Sequence, residues 1–332
     1  MFETCRNRAI VPIVLVGLIT LTSCGAPSLL ITPVAVRREL VETELSRDSL
    51  FASDKIAIID VSGVLMDAPA KQFLGAGEHA VSLLLEKLDK ARRDPHVKAV
   101  LLRINSPGGG VVASEMMHDE LMHFKESGKP LVAVIMDVGA SGGYYIACAC
   151  DEIIAHPSSI VGSIGVIMQM FEISGTLHKL GASADAITSG TFKDTGSPFR
   201  KMRPEERDIF QNIVNDMYDR FIGVVDAGRP NLDEAAVRKL ADGRVYSATQ
   251  ALKVGLIDRI STMRESIDIV RVRAGLRKVR VVTYNRPLGY RPNYYAMAPH
   301  RAEPTVNMLN IDIRGMLQGM TPRFMYLWSP AH

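Results

Sequence analysis

Residues 131–150 read L-V-A-V-I-M-D-V-G-A-S-G-G-Y-Y-I-A-C-A-C. The first six form an unbroken apolar run, the pattern of a strand buried on both faces. The closing Ala/Tyr/Ile/Cys segment reads as a helix. Between the two the chain has to turn sharply, and A-S-G-G (residues 140–143) does so with residues that carry little or no side chain. A serine at such a junction stands at a helix N-terminus, where backbone N–H groups lack intrahelical partners and can receive negative charge. Two readings of Ser141 follow. It is a candidate nucleophile, or it is the N-cap of a tight, close-packed turn. The stretch alone supports both.

Outward from it, the same alternation recurs. Residues 55–63 (K-I-A-I-I-D-V-S-G) read as a strand and a turn, and residues 78–93 carry Val81, Leu84, Leu85, Leu88 and Ala91 at helical spacing. A second buried strand, V-K-A-V-L-L-R-I (97–104), runs into N-S-P-G-G-G (105–110), which breaks the chain before a helix over 111–125. After residue 150 the spacing predicts strands at 152–155, 164–169 and 184–188, with a short helix near Leu177. A polar loop over 189–203 follows, and then a long helix opened by Pro204, Glu205 and Glu206. Strand–helix alternation of this kind predicts an α/β layered domain with largely parallel pairing.

In a parallel sheet the two glycine-bearing loops, 105–110 and 140–143, lie at the same edge and can face one pocket. Glycine lets backbone N–H groups approach a developing oxyanion, which makes Gly109 and Gly142 the candidate donors. A triple-glycine loop is equally a phosphate cradle or a tight turn. A serine nucleophile also needs a base. His156 precedes a proline at a strand end and His178 sits beside Lys179 on a helix expected to be exposed, so Lys193, in S-G-T-F-K-D-T-G-S-P-F-R, is the stronger candidate. Neutralising a free lysine at pH 7 costs about 4.6 kcal/mol, so burial and a hydroxyl partner such as Ser163 have to lower that cost. The competing reading of Lys193 is a solvated loop residue paired with Asp194.

The chain of 332 residues has 47% hydrophobic and 23% charged residues and a formal net charge of +3 from well-mixed signs. That is enough to bury a full core, and no basic stripe with interleaved aromatics marks a nucleic-acid partner. His79, His96, His118, His123, His156 and His178 are scattered, so no metal site or cofactor is implied. At the N-terminus Arg6 and Arg8 precede an apolar run over 9–21, too short for a span of about 20 apolar residues but suited to a secretory signal. An uncleaved signal anchor is the alternative. Residues 25–50 read as a spacer with room for a short helix, and residues 281–332 as a surface-wrapping or subunit-contacting tail. Cys148 and Cys150, two apart on a helix, point away from each other and read as packed small hydrophobes.

Five blocks resemble the signal peptide peptidase A family, serine peptidases of family S49 with a ClpP/crotonase-like α/β fold of repeated strand-strand-helix units. They are I-N-S-P-G-G-G (104–110), A-S-G-G-Y-Y-I-A (140–147), V-G-S-I-G-V (161–166), S-G-T-F-K-D-T-G-S-P-F-R (189–200) and G-R-V-Y-S-A-T-Q-A-L-K-V-G-L-I-D (243–258). The resemblance implies Ser141 as nucleophile, Lys193 as general base, Ser163 as an orienting hydroxyl and Gly109 and Gly142 as oxyanion donors. It also implies a homo-oligomer whose dyad is shared between subunits, acting on hydrophobic signal-peptide remnants with small or apolar residues before the cut. L-T-S-C-G (21–25) resembles a lipobox, which implies lipid on Cys24 and a membrane-anchored lipoprotein on the periplasmic side of a bacterial membrane. The expected organisation is a signal peptide over 1–23, a lipidated spacer over 24–54, a peptidase domain over 55–280 and a tail over 281–332. An acyl-CoA hydratase or isomerase of the same fold, or an inactive lipoprotein scaffold, are the alternatives.

Overall fold

A computed structural model describes residues 39–67, 69–71, 76–285 and 323–329, all within one compact unit, Arg37–His332. The signal segment, Cys24, the spacer up to residue 38 and most of the tail lie outside the described residues. Strands β1 (Val41–Arg47), β2 (Lys55–Ser62), β3 (Pro69–Lys71) and β4 (Ala76–His79) lead to helix α1 (Ala80–Arg93). β5 (Val97–Ser106) and β6 (Gly108–Gly110) precede α2 (Val111–Lys125), and β7 (Leu131–Ala140) precedes α3 (Gly142–Ala147). Then come β8 (Glu152–Ala155), β9 (Ile160–Gly162), β10 (Ile167–Gln169), α4 (Ser174–Lys179), α5 (Pro204–Gly228) and α6 (Glu234–Leu240). β11 (Val245–Ser247), α7 (Ala248–Lys253), β12 (Arg259–Ile260), α8 (Met263–Arg273), β13 (Arg280–Asn285) and β14 (Arg323–Leu327) complete the order.

The central sheet runs β1-β13-β2-β5-β7-β8-β12, with β9 against the end of β7 and β11 against β9. From β13 to β12 its neighbours are parallel, as the unbroken apolar runs require. Alternate residues feed two cores. Ala57, Ile59, Val100, Leu102, Ala133 and Ile135 face the larger one, with α1, α2 and α3, while Ile56, Ile58, Leu101, Val132 and Val134 face the smaller one with Val270 of α8. The α/β architecture of strand–helix units read from the sequence is the one observed. Tyr144 of α3 is fully buried and donates to the Leu256 carbonyl at 2.6 Å. Asp258 accepts from Ile153 N at 2.7 Å and pairs with both outer nitrogens of Arg229, so it ties β8 to the end of α5.

Three expectations are corrected. Val41–Arg47 is a strand, with no helix, because it pairs antiparallel with Arg280–Asn285 and closes the sheet edge. The sheet therefore begins before Lys55, and the supposed tail begins as an integral strand whose Val281, Val282 and Tyr284 are buried. Residues 184–188 form no strand, having no neighbour to pair with; residues 180–193 are exposed throughout. Finally, Arg323–Leu327 is not a surface wrap: it lies between β10 and β6 in a separate three-stranded sheet.

Candidate active site

β5 and β7 are neighbours, and Ser106 stands opposite Gly139, so the two glycine-bearing loops do leave the same edge side by side. The loop after β5 is held by its own polar residues. Ser106 donates its hydroxyl to Gly63 O at 2.6 Å and accepts from Gly108 N at 3.1 Å, while Asn105 bonds Asp137 and accepts from Val138 N. Gly110 N donates to Leu65 O at 2.7 Å, and Leu65 N donates to Gly108 O at 2.8 Å. Those bonds use one edge of β6, which turns the Gly109 N–H to the opposite edge. A Cβ on Gly109 would run into the Leu65 carbonyl, so glycine is required there.

Ser141 lies at the N-terminus of α3 with φ 52° and ψ −117°. It makes no side-chain cap bond, which removes the N-cap reading. Its N–H donates to Gly162 O at 2.6 Å, and its carbonyl accepts from Tyr144 N and Tyr145 N, both at 2.9 Å. The Gly142 N–H opens the helix and needs no intrahelical partner. It lies 2.6 Å from where a Cβ on Gly108 would stand, so the two loops touch. Ala140 is paired with Gly162, so Ser163 emerges beside Ser141. Ser163 has φ 49°, and these two serines are the non-glycine residues with positive φ among the described residues. Such a conformation costs of order 1–3 kcal/mol, and it marks places where position outweighs local comfort.

The structure thus brings Ser141, Ser163, Gly109 and Gly142 together. Lys193 is exposed, and its ammonium has no hydrogen bond or ion pair among the described residues; Asp194 is committed elsewhere. Arg200 grips Asp194 at 2.7 and 2.8 Å and also Glu206 at 2.9 Å, and Arg203 bonds Glu206 as well. Glu206 has 0% exposure, and the Arg200 guanidinium above all holds its carboxyl down to about 2 against the opposing effect of burial. Arg200 likewise holds Asp194 below the usual carboxylate range. This network ties the Lys193 loop to the first turn of α5. His156 follows β8, where its N–H donates to Ile135 O at 2.9 Å, and His178 is exposed on α4. Cys148 and Cys150 are free and buried, burial pushing the Cys148 thiol up to about 12, which suits packing and not redox chemistry.

Sequence reasoning missed what covers the site. β14 runs antiparallel to β6, with Tyr326 opposite Gly109, and antiparallel to β10 on its other side. Trp328 N donates to Pro107 O at 2.8 Å, and Tyr326 and Gly109 share that hydrogen-bonding phase two residues on. The Tyr326 carbonyl oxygen therefore faces the Gly109 N–H, and a Cβ on Gly142 would stand 3.2 Å from it. With this strand seated, Ser141 is 1% exposed. The signal was the apolar pentapeptide F-M-Y-L-W (324–328) preceded by Arg323, whose pairing partner no local pattern could name.

Residues 123–277 match the sequence model of peptidase family S49. A protein of Enterococcus faecium named for signal peptide peptidase SppA is 36% identical over 242 residues, covering 73% of this chain and 70% of its own length. One of Synechocystis, named as a protease, is 38% identical over 222 residues, covering 67% and 75%. Protease 4 of Haemophilus influenzae is 34% identical over 215 residues, and the chain spans 34% of its length. Among solved structures, a mutant of the 1510-N membrane-bound stomatin-specific protease aligns over 65% of this chain and 84% of that one, with a TM-score of 0.42 and 13% identity.

Proposed function

The chain belongs to peptidase family S49 and is a serine protease, and from that premise we propose that it is an endopeptidase with a Ser141/Lys193 dyad acting on hydrophobic peptides such as signal-peptide remnants. The observation that carries this reading is the seat of β14: an extended peptide whose carbonyl oxygen lies between the Gly109 and Gly142 loops, beside a strained serine. In the proposed reaction Ser141 Oγ attacks a substrate carbonyl and passes its proton to the neutral Lys193 amine, while the Gly109 and Gly142 N–H groups receive the oxyanion. Each such donor is worth about 2.7–4 kcal/mol of transition-state stabilisation. Collapse expels the amine with the proton from Lys193. Water then attacks the acyl ester, again giving its proton to Lys193, and Lys193 returns that proton to Ser141 Oγ as the ester C–O bond breaks and the acid product leaves.

An exposed lysine is a poor base, because its amine must be neutral and desolvation is what favours that form. Two features support completion of the site by a second copy. α4 has no buried residue, and the arm around it exposes Phe171, Leu180, Ile187 and Phe192, apolar surface suited to burial against a partner. Tethering through lipid on Cys24 and a place on the extracytoplasmic face belong to the same proposal; no helix among the described residues is long and apolar enough to cross a membrane. The mass of the mature N-terminus tests the lipid. For the dyad, a serine-reactive fluorophosphonate should label the full-length protein and not its Ser141→Ala form. Undiminished peptide cleavage by Lys193→Ala would remove the lysine from the mechanism.

A further inference from the structure

The strand that delivers Ser141 is irregular just before it does so. β5 and β7 pair in step up to Ile104 opposite Ile135, but the next pair is Ser106 opposite Gly139. β5 advances two residues there while β7 advances four, so β7 bulges over Met136, Asp137 and Val138. A bulge leaves backbone groups without ladder partners, and here side chains supply them. Asn105, the β5 residue at the break, accepts from Val138 N through Oδ1 at 3.2 Å and donates through Nδ2 to Asp137 at 3.1 Å. From the other side the buried Ser159 hydroxyl lies against the Ile135 carbonyl at 2.9 Å and against the Met136 carbonyl. Val138 is three residues before Ser141, and Asn105 is four before Gly109. One side chain therefore ties together the roots of the two loops.

We propose that Asn105 is a positioning residue, whose amide locks the β7 bulge to the Gly109 loop and so sets where Ser141 stands relative to the Gly109 and Gly142 N–H groups. This rests on the reading of Ser141 as nucleophile. The position demands an amide, because a donor and an acceptor must act at once and a carboxylate of the same shape only accepts. Aspartate there would also set two carboxylates against each other. Asn105 and Asp137 line an open cleft of about 420 Å³ together with Asp60 and Arg103, so water can satisfy polar atoms freed by substitution. Loss of the clamp therefore alters geometry more than stability.

The test compares Asn105→Asp, Asp137→Asn and the double variant in the full-length protein, by peptide kinetics, fluorophosphonate labelling and thermal unfolding. Asn105→Asp should lower kcat and the labelling rate by about thirtyfold or more, with KM within about twofold of wild type. Its Tm should stay within about 3 °C of wild type. Asp137→Asn keeps a donor–acceptor pair, since two amides bond each other, and its rate should stay within about threefold of wild type. In the double variant the new carboxylate at position 105 accepts from Val138 N and from the new amide at position 137, so the rate should return to within about fivefold of wild type. An Asn105→Asp rate equal to wild type overturns the proposal, as does a double variant as slow as Asn105→Asp alone. Hydrogen exchange judges the clamp without turnover: residues 136–143 should exchange at least about fivefold faster in Asn105→Ala than in wild type, and equal exchange overturns it. A wild-type protein that takes no label at Ser141 defeats the nucleophile reading and leaves exchange to decide the clamp, so the two fail separately.

Discussion

The two halves of the proposed dyad are built in opposite ways. Ser141 is 1% exposed, at the end of a strand buried on both faces, and its turn is bonded to β9 and to its own helix. Lys193 stands on an arm that is exposed over residues 180–193 and held to the rest of the chain by a cluster of ions. A nucleophile and oxyanion donors must hold sub-ångström geometry, and the dense packing around Ser141 suits that demand. A base carried on an arm can be presented to a neighbouring copy, at the cost of being inactive until the copy arrives.

The sharpest way to break this contrast is complementation. Ser141→Ala and Lys193→Ala should each lower kcat by at least about a thousandfold while circular dichroism shows retained structure. Mixing the two inactive proteins after dissociation and reassembly should restore a substantial fraction of wild-type activity. No recovery would place both residues of each dyad in one chain.

Glycine substitutions sharpen the comparison next. Gly109→Ala would drive a Cβ into the Leu65 carbonyl and should lower kcat by about a hundredfold or more through a displaced donor. Gly190→Ala on the arm meets nothing within 4 Å, so thermal unfolding should barely move. A comparable Tm loss at both positions would contradict the rigid-site, open-arm picture.

Packing differs in the same direction. Phe221 is fully buried beside Tyr145 and Tyr326, and Phe221→Ala should cost about 3–5 kcal/mol in denaturant unfolding. Phe192 is 48% exposed, so Phe192→Ala should change the stability of the isolated subunit by no more than about 0.5 kcal/mol. Its effect should appear in assembly, read by analytical ultracentrifugation.

A further comparison concerns the acid stability of the arm's ionic cluster. Glu206 is held at about 2 against an ordinary value of 4.5, so in that window the unfolded chain binds more protons than the folded one. The stabilisation it gives is full above about pH 4.5 and is lost as pH falls towards 2. Glu206→Gln should flatten this part of the stability–pH curve, and an unchanged slope would show that the cluster is not formed in solution.

Much of the site was legible because its parts are local. Ser141, Gly142, Gly109 and Ser163 each sit in a short block where strand, small residue and helix follow one another, and parallel pairing brings such blocks to one edge. The strand read at 184–188 failed because an alternating segment becomes a strand only with an edge to pair with. β1 and β13 escaped notice since β1 is an edge strand that pairs with β13, and β13 lies between it and β2, a placement set by segments far apart in the chain. Glu206 read as an ordinary first-turn acid of α5, and nothing local foretold that Arg200 and Arg203 would enclose it.

The sequence by itself determined the α/β class, the serine at a strand–helix turn and the two glycine-bearing loops at one sheet edge, because hydrophobic period and turn chemistry act over a few residues. The tertiary structure alone decided that Lys193 is exposed while Ser141 is buried, and that Arg323–Leu327 lies along the Gly109 loop with Tyr326 among aromatic rings. Those facts depend on pairing between segments distant in the chain, which is selected by the burial and backbone hydrogen bonds of the finished fold and leaves no mark in any short stretch.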